Sequence, residues 1–178
     1  MSAYIESVLK QWQSYKMVAE KTFDQLEDQQ LLWQPHEESN SIATIVKHMH
    51  GNMLSRWTDF LDSDGEKDWR KRDEEFENDV QSRQEMLTIW EEGWKCTFDA
   101  VKNLTDDDLT KEIHIRHEAH TVLDAIQRQL AHYPYHIGQI VFVGKLIVGE
   151  DWTTLSIAKG KSQEFLTKME QKNVTNKT

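Results

Sequence analysis

The chain has 178 residues, a formal net charge of −10, two prolines, seven glycines, seven tryptophans and a single cysteine. That length makes one domain able to bury a core unaided, and the acidity argues against a general affinity for nucleic acid or anionic membrane, both of which reward basic patches. Lone Cys96 excludes an internal disulfide, fits a reducing cytosol and reads as a small buried hydrophobe. Scarce proline and glycine favour long helices, and the tryptophans suggest a core that packs helices with large rings. The N-terminus lacks the basic start and apolar stretch of a secretory signal. The longest apolar run, Ile140 to Val148, is broken by Lys145 and is too short to span a bilayer. A soluble cytoplasmic protein is expected, with small molecules or proteins as partners and neither nucleic acid nor membrane.

From Ser2 to about Leu32, Ile5, Val8, Trp12, Tyr15, Ala19, Phe23 and Leu26 recur at three- and four-residue steps, which predicts a first amphipathic helix closed by Pro35. Ser41 caps a second helix running to about Leu61. His48 and His50 in it lie about 200° apart around the axis. His48 shares the apolar stripe with Ile45 and Met49, so periodicity turns His48 inward rather than His50. Asp62 to Asp79 is densely charged, with Trp69 and Phe76 as its only large apolar anchors, and reads as a long crossover with a solvated surface. Asp62, Asp64 and Glu66 hint at a calcium loop, but the later ligand positions are missing.

Ser82 opens a third helix that stops near Asn103, and Lys111 to Val122 alternates around a polar centre, as a short hairpin does. His114, His117 and His120 fall in it, but strand alternation sends them to different faces. Thr121 and Asp124 make a capping box for a fourth helix whose stripe is Ile126, Leu130, Tyr133, Ile137, Ile140, Val141 and Leu146, ending at Gly149. Ser162 to about Lys172 forms a last short helix. The domain spans residues 1–172, and 173–178 form a frayed tail.

The fourth helix carries the chemistry. In Gln129-Leu-Ala-His132-Tyr-Pro-Tyr-His136-Ile-Gly-Gln139 the histidines stand four residues apart, one turn above the other, so both rings can reach one cation. Pro134 between them costs the helix a hydrogen bond, roughly 3 kcal/mol, at the place where a site would compensate for it. Four amphipathic helices imply an all-α bundle in which ligands project inward from facing helices. His48 would complete a set of three imidazoles with open coordination positions.

Two segments carry a family resemblance: Ser41-Ile-Ala-Thr-Ile-Val-Lys-His48 and Arg128-Gln-Leu-Ala-His132-Tyr-Pro-Tyr-His136-Ile-Gly-Gln-Ile-Val141, supported by the tail Trp152 to Ser162. Together they resemble the DinB/YfiT-like superfamily of proposed metalloenzymes, in its small bacillus-type branch. The resemblance implies an up-down-down-up four-helix bundle with a short hairpin before the fourth helix, and a divalent metal on His48, His132 and His136. Zinc or nickel would be favoured, with iron or manganese as alternatives. It further implies a homodimer and a metal-dependent S-transferase using a low-molecular-weight thiol such as bacillithiol on small electrophiles. A metal-dependent hydrolase and a non-catalytic metal-binding stress or interaction protein are the alternatives. Asn52, Arg128, Gln129, Tyr133 and Tyr135 are candidates to position the substrate, and no catalytic residue is assigned. The chain departs from the family at Ala158, where proline is expected, and at Arg116-His117-Glu118, where the hairpin would have glycine at its centre.

Overall fold

The structure, a computed structural model that describes residues 2–175, is mostly helical. Helix α1 spans Ala3–Phe23, α2 is one turn at Asp28–Leu31, α3 spans Ile42–Trp57, α4 Arg83–Val101, α5 Val122–Val148 and α6 Ser162–Thr175. An antiparallel hairpin of β1 (Glu112–Ile115) and β2 (Glu118–Thr121) runs directly into α5. The long helices start where the sequence places short hydroxyl side chains, because these accept the unpaired amides of a first turn. Ser2 accepts from the Tyr4 amide, Ser41 from Thr44 and Ser82 from Glu85, while Thr121 and Asp124 form a reciprocal capping box.

Three boundaries differ from the periodic expectation. The apolar period of the first helix continues to Leu32, yet α1 stops at Phe23. Leu26 and Leu31 stay buried, but Glu27 and Gln30 form a capping box that starts α2 as a separate turn. Helix α3 ends at Trp57 rather than near Leu61, because Asp59 takes a positive φ of 45° and the chain turns away, leaving Leu61 exposed. On α5, Leu146 is exposed rather than part of the buried stripe; Gly144 is buried instead, against Thr22, Leu26 and Trp152. Helix α6 reaches Thr175, past Lys172, and the remainder of the tail expected to fray lies outside the described residues.

Helix α1 packs on α5, α5 on α3 and α3 on α4, with a lighter contact between α4 and α1. Each contributes a large ring to one centre. Trp12 of α1 lies 5.8 Å from both Trp57 of α3 and Tyr133 of α5, and Trp94 of α4 lies 5.5 Å from Tyr133, all at tilted or edge-on angles favoured by ring quadrupoles. Among the described residues, no helix is long and apolar enough to cross a membrane.

The charged crossover from α3 to α4 is not simply a solvated surface. Its 3₁₀ turn at Asp73–Phe76 folds back onto α3, burying Glu75. Asp64 accepts hydrogen bonds from the backbone N–H groups of Glu66, Arg116 and His117 at 2.7–2.8 Å. Arg116 and His117 form the hairpin tip with φ of 55° and 65°, a region that favours glycine. Asp64 offsets that strain by satisfying both amides. Burial opposes its charge, but the amide hydrogen bonds outweigh burial and hold its carboxyl down at about 2.

Candidate metal centre

Helix α3 places His48 on its buried face, 6 % exposed, and α5 presents half-buried His132 and His136 towards it. One ring nitrogen from each lies within 4.8 Å of the others. Ring centroids are 5.7 Å apart for His48 and His132, 4.8 Å for His48 and His136, and 4.6 Å for His132 and His136. His50, on the other side of α3, instead meets Glu92 of α4 at 3.1 Å.

Each ring is fixed through its Nδ1. His48 Nδ1–H donates to Glu75 Oε2 at 2.9 Å, His132 Nδ1–H to Gln129 Oε1 at 3.2 Å, and His136 Nδ1–H to Gln139 Oε1 at 2.9 Å. A carboxylate only accepts, so the His48 tautomer is set by Glu75. Protons held on Nδ1 leave the Nε2 lone pairs free, and those of His132 and His136 face each other at 2.9 Å. Two opposed lone pairs repel unless a cation or proton lies between them. Zn–N bonds of about 2.0–2.1 Å would set neighbouring nitrogens of a tetrahedral site roughly 3.3 Å apart, close to this spacing. An oxygen partner on the distal nitrogen is the usual outer shell of a metal-binding imidazole. The donor set therefore fits a divalent metal.

Two of the three rings are also kept neutral. Burial, then the charges of neighbouring histidines and arginines, push His132 down to about 3, and burial with His48 lowers His136. Both imidazoles are uncharged at neutral pH, the form that binds metal. At Glu75, burial opposes the charge, but hydrogen bonds from His48 and Arg70 outweigh it and hold the carboxyl below its usual range. Arg70 Nε and Nη2 donate to Glu75 at 2.7 and 3.0 Å, and Phe76 stacks on the His48 ring at 4.8 Å.

The substrate-positioning candidates divide. Asn52, Arg128, Gln129 and Tyr135 line a cavity of about 500 Å³ beside His48 and His132. Tyr133 does not: it is fully buried in the aromatic core, where its hydroxyl accepts from Trp57 Nε1 at 2.8 Å. Position 133 is one residue, about 100° of helix, past position 132, which faces the other two histidines. Replacing Tyr133 with Phe strands the buried indole N–H, so urea denaturation should show a loss of about 1–3 kcal/mol, with metal content unchanged. Gln129 is 1 % exposed and serves mainly to hold His132. The rival histidines His114, His117 and His120 do not converge; each lies nearest a carboxylate of its own, at 3.7–3.9 Å. Sequence reasoning missed Glu75, Arg70 and the role of Gln139.

A family model described as "Protein of unknown function (DUF1572)" matches residues 1–161. No curated protein and no solved structure gives a significant match.

Proposed function

The chain belongs to the DUF1572 family, and from that membership and the site geometry we propose that it is a DinB-like, divalent-metal-dependent S-transferase acting on small electrophiles. The observation that carries the proposal is the convergence of three imidazole nitrogens whose partner nitrogens are each committed to an oxygen. In this reading the four long helices form an up-down-down-up bundle. His48, His132 and His136 hold the ion, with zinc or nickel best suited to three neutral imidazoles. A bound ion would supply open coordination positions and favour the thiolate of a small thiol at neutral pH.

The chain's own residues do the rest. Glu75, Gln129 and Gln139 keep the three rings oriented, and Asn52, Arg128 and Tyr135 line the cavity that receives the substrate. Thiol transfer is favoured over hydrolysis because hydrolysis needs a proton acceptor beside the attacking water. No residue lining the cavity is acidic, and Glu75 is already engaged with His48 and Arg70. Cys96 does not line the cavity; burial raises its thiol pKa, so the nucleophile comes with the cosubstrate.

The test is turnover of monochlorobimane with bacillithiol by metal-loaded and metal-stripped protein. Conjugation should require both thiol and metal and fall to background when either is withheld. Ester turnover without thiol would replace this proposal with hydrolysis, and no turnover of either kind would leave metal binding alone.

A further inference from the structure

The chain carries a net charge of −10, yet the cavity beside the histidines is lined by Arg56, Arg70, Arg72, Arg116 and Arg128 and by no acidic residue. Arginine fits planar oxyanions through paired N–H donors. A network of internal ion pairs accounts for only part of the cluster. Glu75 takes two hydrogen bonds from Arg70, and Glu66 takes one from Arg116 at 2.9 Å and lies 3.5 Å from Arg70 Nη1. Arg128 makes no ion pair among the described residues, and Arg72 approaches the exposed Asp73 carboxylate at 3.9 Å and lies over the Phe76 ring, 5.2 Å from its centroid.

Two of the five are buried and incompletely satisfied. Arg56 is 2 % exposed, and its Nε and Nη1 have no hydrogen-bond partner; Arg70, whose side chain is equally enclosed, leaves Nη1 without one. Buried guanidinium N–H groups without acceptors are costly, and native folds rarely keep them without a reason. Glycine at position 65 gives Arg56 its room, since a Cβ there would stand 2.7 Å from Nη1. Burial, then the charge of Arg128, lowers the Arg56 pKa to about 10, which still leaves it protonated at neutral pH.

We propose that this cavity binds the oxyanion group, carboxylate or phosphate, of a small organic acid whose reacting end lies at the three-histidine centre. The placement of the reacting end rests on the metal-centre reading above; the anion subsite rests on the arginines alone. The volume of about 500 Å³ suits a small molecule rather than a polymer. Buried Arg56 and Arg70 make the inner wall of the cavity positive, and half-exposed Arg72 and Arg116 with exposed Arg128 present the N–H donors that an anion entering from solvent reaches.

The two readings are separated by titrating metal-stripped full-length protein with inorganic phosphate and with succinate, at constant ionic strength, following the thermal unfolding midpoint. At least one anion should raise the midpoint saturably. A response to phosphate alone identifies a phosphate ester as the substrate class, to succinate alone a carboxylate, and to both an oxyanion of either kind. The variant Arg128→Gln alters an exposed side chain that makes no ion pair among the described residues, so it should fold and keep wild-type metal content. Its anion affinity should fall at least about tenfold. His136→Ala, whose ring does not line the cavity, should keep the wild-type anion affinity while losing metal. No saturable response in wild type, or equal affinity in the arginine variant, overturns the proposal. Absence of histidine-dependent metal would overturn the metal reading and leave the anion result standing.

Discussion

Replacing His132 and His136 together with alanine should lower affinity for a divalent cation on the order of 10⁴-fold. Structural zinc binding of about 10–16 kcal/mol, shared over four ligand positions, assigns roughly 3 kcal/mol to each, and about 1.4 kcal/mol is a tenfold change. Both side chains are only half-buried and, apart from each other, hydrogen-bond to glutamines on their own helix, so the variant should keep its fold. Elemental analysis of untagged protein and competition against a chelating dye measure the loss. Added metal should raise the unfolding midpoint of the wild type and leave that of the variant unmoved, because an ion stabilises only the state that binds it. One tightly held ion per chain in the double variant would refute the assignment of these ligands.

The second large effect comes from a residue that touches no metal. Gly51 sits inside α3, where glycine costs roughly 1 kcal/mol relative to alanine. A Cβ there would stand 2.6 Å from the Glu75 carboxyl carbon and closer still to its Oε1. Gly51→Ala must therefore push that carboxylate away from the helix. Arg70 lies on the crossover and can follow it, but His48 is fixed on the same helix as the new methyl group and cannot. We expect metal affinity to fall about 10–100-fold, the usual effect of losing an outer-shell partner, with stability equal to wild type or lower by up to about 2 kcal/mol, because the helical gain of alanine offsets only part of the lost His48–Glu75 hydrogen bond. Glu75→Gln should behave differently. It leaves the enclosed Arg70 with only the longer contact to Glu66 at 3.5 Å, and because breaking a buried pair outright costs about 3–5 kcal/mol, it should lose part of that stability as well as metal. Wild-type affinity in Gly51→Ala would remove Glu75 from any role at the centre.

The three converging histidines were legible because helices write their contacts into local spacing. An i, i+4 histidine pair and a histidine on an apolar stripe need only the 3.6-residue period to be placed. Glu75, Arg70 and Arg56 were not legible, because nothing periodic says that a charged 25-residue crossover returns to cover the helix it left. There a buried acid reads like its exposed neighbours. The available signals were indirect: a glycine within α3, and Phe76 in an otherwise polar run, which proves to stack on His48. The overlong first helix and the misassigned Leu146 share another cause. Apolar period records what a residue prefers, but it does not record where the packing partner ends. Leu26 is buried from a turn rather than from a helix, and on α5 the close contact is made by Gly144, which has no hydropathy to register.

The hairpin tip has a consequence for the order in which the chain assembles. Its turn is built from two residues that disfavour its backbone geometry, and the carboxylate that satisfies it comes from Asp64, 52 positions earlier than Arg116. The hairpin should therefore form slowly as an isolated peptide and wait for a distant loop to close, which contact order makes a late event. Helix α5 starts directly from that hairpin, so its two imidazoles reach their final bearing only once the polypeptide is nearly home. Unlike a zinc finger, which the ion itself nucleates, this protein would acquire its cation as a finished fold, and loading would report on correct maturation rather than drive it.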